Sequence, residues 1–235
     1  HTRCSRDWSS DVCSSDLKRA KEEYRGKKIA GDTIRCELAL LSAVLDYLQA
    51  RDVVKLNVVK VSRLDTPKLG KRKRVLTDDE ERQLLAQARY YTIRHKRANS
   101  SFYPWLKFLF QTGARPGEAT RIKISWVDLN ESCIVIPDEE HKNDHSRFIH
   151  LNANILPLIK EQVASQKAKK SIYLFSSNDG EKPFAYGQPW CDTLRKCGID
   201  GVVPHSIRHT FITRLFEQTT LNETQIASLV GQVNV

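Results

Sequence analysis

Three short stretches of this 235-residue chain carry side chains able to hold an anion and move a proton beside it. In TGARPGEA (residues 112–119), Arg115 stands directly before a proline, which pushes its backbone out of the helical region. The spacing predicts a helix–helix corner with the guanidinium projecting from a rigid turn. Glu118, one helical turn on, can hold a guanidinium by a forked pair. A corner arginine paired to a glutamate is equally a structural device. In PHSIRHTFITRLF (residues 204–216), Ile207, Phe211 and Leu215 make an apolar stripe, while His205, Arg208 and His209 stand at i, i+3 and i+4 on another face. Pro204 and His205 open that helix, where free backbone N–H groups favour an anion. An arginine and an imidazole there suit a phosphate, although His209 also fits a packing role within its own fold. The third residue is Lys142 in EEHKNDHSR, the polar tip of a hairpin between two strands. It is an ordinary solvated lysine unless the hairpin bends toward a substrate, where it can serve as a general acid.

These residues need a frame, and the patterning supplies one. From Asp32 on, Ile34, Leu38, Leu41, Val44, Leu45 and Leu48 recur at helical spacing. One such helix cannot bury its own stripe, and only DVVKLNVVKV (residues 52–61) lies nearby to cover it, so this helical domain reads as partial. DTPKLGKRKR (residues 65–74) combines Pro, Gly and five basic residues and reads as an exposed linker between domains, with Lys71, Arg72, Lys73 and Arg74 as candidate phosphate contacts. Thr77 and Glu80 have capping-box spacing and predict a helix start. Residues 102–122 predict an apolar helix stopped near Gly113 and a second one restarted at Pro116. Three strand-like runs follow: SWVDLN (125–130), CIVIP (133–137) and RFIHL (147–151). Helices are then predicted over 152–168, 188–197, 204–218 and 222–230. The fold class is α+β: a mainly helical domain with a small antiparallel sheet from residue 75 to 235, preceded by a partial helical domain over 18–64 and the linker over 65–74.

Composition narrows the partners. A net charge of +10 and a hydrophobic share of 40% describe a chain with a real core and an attraction to polyanions, either nucleic acid or an acidic membrane surface. No apolar run approaches the roughly 20 residues that cross a bilayer, and the start has no apolar signal-peptide core. The six cysteines are scattered, which fits a reducing, cytoplasmic setting. Cys191, Cys197, His205 and His209 depart from zinc-site spacing, so neither metal nor cofactor is expected.

In this order and context, TGARPGEA, the hairpin Lys142 followed by RFIHL, HSIRHTF and the closing IASLVGQ resemble a tyrosine recombinase of the phage-integrase type. The resemblance runs over roughly residues 33–235 and includes RVLTDDEE at the opening of the catalytic domain and the leucine-rich helix of a core-binding (SAM-like) domain. It implies that Arg115 and Arg208 clamp the scissile phosphate and that Lys142 protonates the departing 5′ oxygen. It further implies that His205 assists proton transfer, that Glu118 and His209 support the site, and that a tyrosine forms a 3′-phosphotyrosyl link. The implied partner is double-stranded DNA, gripped by a homotetramer between two domains at the nucleoid, with DNA-bending accessory proteins and no membrane.

Two positions depart from the family pattern. Gln232 stands where the family has its second histidine; it can donate a hydrogen bond but cannot carry a proton as imidazole does. The nucleophilic tyrosine belongs about nine residues further on, and all seven tyrosines (Tyr24, Tyr47, Tyr90, Tyr91, Tyr103, Tyr173 and Tyr186) precede HSIRHTF. The chain is therefore expected to be a fragment that does not cleave DNA. At the other end, DWSSDVCSSDL (residues 7–17) is the translation of a standard short-read sequencing adapter, so residues 1–17 are expected to be non-native. A DNA-binding protein that kept the clamp and lost the nucleophile remains an alternative. So does a helix-turn-helix regulator built on LNETQIASLVGQ, which lacks a following recognition helix and leaves Arg115 and Lys142 without a role.

Overall fold

The computed structural model describes residues 23–24, 27–29, 31–61, 74–94, 101–137 and 147–231, and the chain divides into two compact units, His1–Arg72 and Lys73–Val235. In the first unit, β1 (Glu23–Tyr24) and β2 (Lys27–Lys28) pair antiparallel ahead of α1 (Gly31–Gln49). Helix α1 buries Ile34 and Leu38, the two members of its stripe nearest its start, whereas Leu41 and Val44 remain exposed. The short α2 (Val58–Val61) is tied to it by one buried side chain, Asn57. Its amide donates to the Ser42 carbonyl (2.9 Å) and to Asp46 (2.8 Å), while its carbonyl oxygen accepts from the backbone N–H of Val59 (3.1 Å). A single asparagine thus caps one helix and straps it to the other.

The second unit starts as the capping-box spacing predicts. Helix α3 (Asp78–Arg94) follows Thr77, whose hydroxyl accepts from the Glu80 backbone (3.2 Å) while the Glu80 carboxylate accepts from the Thr77 backbone (3.0 Å). Helix α4 (Phe102–Thr112) supplies much of the core, with Phe102, Trp105, Leu106, Phe108 and Leu109 fully buried. It stops at Gly113, which takes the left-handed conformation (φ +62°) and returns its N–H to the Leu109 carbonyl at 2.9 Å. Arg115 is extended (φ −67°, ψ 133°), as its proline neighbour requires, and α5 (Pro116–Arg121) begins at once.

The sheet is three-stranded and antiparallel, β3 (Val127–Asp128), β4 (Cys133–Ile136) and β5 (Arg147–His150), in the order β3-β4-β5. The run SWVDLN forms far less strand than its composition predicts. Residues Ile124–Trp126 make a 3₁₀ turn, because Ile122 and Ile124 are already bonded to the 172–174 segment (Leu174 N–H to Ile122 O at 2.8 Å, Ile124 N–H to Ile172 O at 2.9 Å). Asp128 then ends the strand by accepting from the N–H groups of Asn130 (2.9 Å) and Glu131 (3.0 Å). Helix α6 (Leu156–Ala168) likewise starts later than the predicted 152, since Asn152 accepts from Asn154 (3.0 Å) and Ile155 (3.1 Å) in an Asx turn. Helices α7 (Gly187–Cys197), α8 (Pro204–Gln218) and α9 (Glu223–Val230, capped by Asn222 and ended at Gly231) stand where the pattern puts them.

Helix α8 is the most firmly anchored of these. Thr210, fully buried, accepts the Leu76 N–H (2.9 Å) and donates to the Ser206 carbonyl (2.9 Å). One turn on, Arg214 pairs with Asp78 (2.8 Å) and Glu81 on α3. On another face, Phe211 lies so close to Gly113 that an added Cβ would come within 2.9 Å of its ring. Gly113→Ala combines a left-handed alanine with that overlap. It is expected to destabilise the second unit by about 2–4 kcal/mol in urea unfolding; a loss under ~1 kcal/mol would contradict the close packing described.

Candidate phosphate site

Four segments meet around one cluster of charge: the corner 113–118, the first residue of β5, the first two turns of α8 and the cap that ends α9. Arg208 is only 2% exposed; one of its Nη groups donates to the Gly113 carbonyl at 2.8 Å, and the other has no partner among the described residues. The fixed α8 and the left-handed Gly113 therefore place this guanidinium at the corner carrying Arg115. Arg115 in turn donates from its guanidinium to the Gly231 carbonyl at the end of α9 (3.2 Å). His205 and His209, on the exposed side of α8, meet edge to face with ring centroids 5.0 Å apart.

The corner carboxylate has a partner that the spacing did not predict. Glu118 accepts from the Arg115 backbone N–H (3.4 Å), and its ion pair is with Arg147 on β5. Arg147 is 5% exposed, and its Nε and second Nη group have no partner among the described residues. Sequence reasoning passed over this residue, yet a signal existed. In RFIHL a period of two puts Arg147 on the same side as Ile149 and Leu151, and all three are buried while Phe148 and His150 face out. An arginine on the apolar face of a strand must have a carboxylate or an anion waiting for it. Gly231, which the pattern places only as the stop of the last helix, has a second duty. It adopts φ +67°, and a Cβ there would lie within 2.7 Å of Arg147 Cδ and overlap its Nε.

The electrostatics follow from crowding. Burial, then the charges of Arg147 and Arg115, push the Arg208 guanidinium down to about 10, with Glu118 opposing. Burial also lowers Arg147, against the pull of Glu118 and with a push from Arg115. Both arginines keep their charge at neutral pH, so among the described residues the cluster holds three cations against the Glu118 carboxylate. A tetrahedral anion is the natural complement to such a cluster. His205 is lowered from 6.5 by burial first and then by His209, Arg208 and Arg115, so its imidazole is neutral at pH 7 and can accept a proton.

Lys142, Gln232, Lys71, Arg72 and Lys73 lie outside the described residues. Arg74 is described, and its guanidinium pairs with Glu80 and donates to the Val75 carbonyl (3.3 Å).

Because the folded chain resists protonating His205 and the unfolded chain does not, stability contributed above pH 6.5 is lost as pH falls through the window beneath it. In an NMR titration the His205 ring is expected to show a midpoint below 6.5 that moves upward on adding inorganic phosphate. A midpoint at or above 6.5 without phosphate would refute the crowding.

Known proteins share this frame. The model of the phage integrase family matches residues 74–234. A shufflon-specific DNA recombinase of Escherichia coli is 28% identical over 212 residues, covering 88% of this chain and 49% of that protein, so the chain spans about half the length of this relative. Among solved structures, the Tn1549 transposon integrase in complex with a circular intermediate DNA superposes with a TM-score of 0.77 at 19% identity, over 96% of this chain and 78% of that one. A lambda integrase dimer bound to a core site gives 0.60 at 15% identity, over 99% and 87%. These likenesses carry the α+β fold, and the match across the whole second unit settles its kinship: the chain belongs to the phage integrase family.

Proposed function

We propose that this chain is the DNA-engaging portion of a site-specific recombinase that breaks and rejoins double-stranded DNA through a 3′-phosphotyrosyl intermediate. The observation that carries this reading is the convergence of Arg115 and Arg208, each held by a glycine carbonyl, beside a neutral His205. In the proposed step the two guanidiniums take the non-bridging oxygens of one phosphodiester. They stabilise the negative charge that grows there as a tyrosine oxygen attacks phosphorus and the 5′ oxygen departs. His205 accepts the tyrosine proton, Lys142 supplies a proton to the leaving 5′ oxygen, and Gln232 donates a hydrogen bond to the phosphate. His209 supports His205 from the next turn of α8, and no metal is needed.

None of the seven tyrosines follows the His205–Arg208 motif, and the role we assign to the residues of this site is binding and polarising the phosphate. A helical core-binding unit before residue 65, a basic strap over 65–74 and assembly as a homotetramer on DNA in the cytoplasm belong to the same proposal. Arg74 would exchange its Glu80 pair for a phosphate on binding. The relatives support the reading by what they are: a DNA recombinase, and integrases solved on DNA. Among the described residues no helix is long and apolar enough to cross a membrane.

Titration with a duplex oligonucleotide at two salt concentrations tests the reading. Neutralising several phosphates gives a log–log salt slope of roughly −0.9 per contact, so affinity is expected to fall more than tenfold between about 50 and 200 mM salt. Arg208→Ala is expected to weaken duplex binding by about tenfold through the loss of charge-assisted hydrogen bonds. Salt-independent binding, or none, would overturn the proposal.

A further inference from the structure

The site contains an anion of its own. Glu118 occupies the first turn of α5, where its carboxylate accepts from the Arg115 N–H at 3.4 Å. A carboxylate so close to the corner competes with any phosphate for the same guanidiniums, because arginine forms forked pairs with either anion. Arg147 is placed to absorb that competition. It reaches Glu118 from β5, a separate element, and it is buried, so solvent does not screen the pair. Its flat side chain lies against Gly231, the residue whose carbonyl receives Arg115, and only a glycine leaves room for it.

We propose that Arg147 is a positioning residue of the phosphate site: by engaging Glu118 and backing the turn at Gly231, it keeps Arg115 and Arg208 available to the phosphate. Arg147 acts through these neighbours rather than by touching the reacting atoms. Without it, Glu118 turns its charge on Arg115, whose backbone it already holds, and Gly231 loses the surface that fixes its carbonyl.

The proposal takes phosphate as the ligand from the recombinase reading and is tested on the full chain with inorganic phosphate as the probe, followed by calorimetry and by the shift in unfolding temperature. Arg147→Gln is expected to bind phosphate about tenfold more weakly, the scale of a lost charge-assisted contact. Removing the competitor as well, in the double variant Arg147→Gln with Glu118→Gln, is expected to recover affinity to within about threefold of the unaltered chain. A purely structural arginine would lower the unfolding temperature without this rescue. Undiminished binding by Arg147→Gln overturns the proposal, and so does a double variant as weak as the single one. Should Arg147→Gln fail to fold, the double variant removes both members of the buried pair together, and a tenfold loss in it is the overturning result. The duplex titration separates the two readings. An unaltered chain that binds phosphate but no DNA defeats the recombinase reading and leaves the role of Arg147 standing. Phosphate binding that ignores Arg147 defeats this inference alone, and an unaltered chain that binds neither defeats both.

Discussion

Three guanidinium groups within electrostatic reach of one another, with a carboxylate at Glu118, set the constraint under which the second unit is built. Like charges brought together in a buried place repel and lose hydration, and the fold must hold them against both effects. Two of the three are held by neutral oxygens. Arg208 rests on the Gly113 carbonyl and Arg115 on the Gly231 carbonyl, and both glycines are left-handed caps that end helices, α4 and α9. Carbonyls at a helix C-terminus carry the negative end of the helix dipole, which favours a nearby cation without cancelling its charge. Full carboxylate partners would bind the arginines more tightly and leave nothing for a ligand.

That solution demands rigid helix ends, and the packing provides them. Helix α8 presents three faces with three duties. Thr210 and Arg214 fasten it to the start of the unit and to α3; Ile207 and Phe211 press on the core and on Gly113; His205 and His209 remain open. Arg208 lies between the second and third faces, so its orientation follows from contacts made by its neighbours. The methyl-free Gly113 is needed twice, for its backbone twist and for the approach of Phe211.

Much of this was legible in the residues. Capping signals at Thr77, Gly113 and Pro116 put helix boundaries within a few residues, because each is a local backbone rule. The residues Arg115, His205 and Arg208 stood out by type and spacing, and the resemblance they carry named the family to which the chain belongs. The failures came where a partner distant in sequence decides. Periodicity placed Arg208 on a polar face with His205 and His209, yet it is buried, since the Gly113 carbonyl lies 95 residues away in the chain. Glu118 was matched with Arg115 by proximity, whereas its ion pair crosses to Arg147, 29 residues on. SWVDLN looked like strand by composition, and the 172–174 segment claimed its approach first.

Arg147 shows how a local pattern and a distant partner combine. The alternation of RFIHL puts a cation on an apolar face, which is unfavourable in isolation and becomes tolerable only through Glu118. Its remaining N–H groups and one on Arg208 are left without partners among the described residues, and Arg208 is driven down to about 10 by the same crowding. An anion entering the cluster would offset these strains at once, satisfying donors and screening like charges. By linkage, a ligand that relieves strain in the folded state alone raises the stability of that state. On the proposed reading, the polar mismatch in the core is the form in which the fold stores affinity for phosphate, with Arg147 keeping the resident carboxylate occupied.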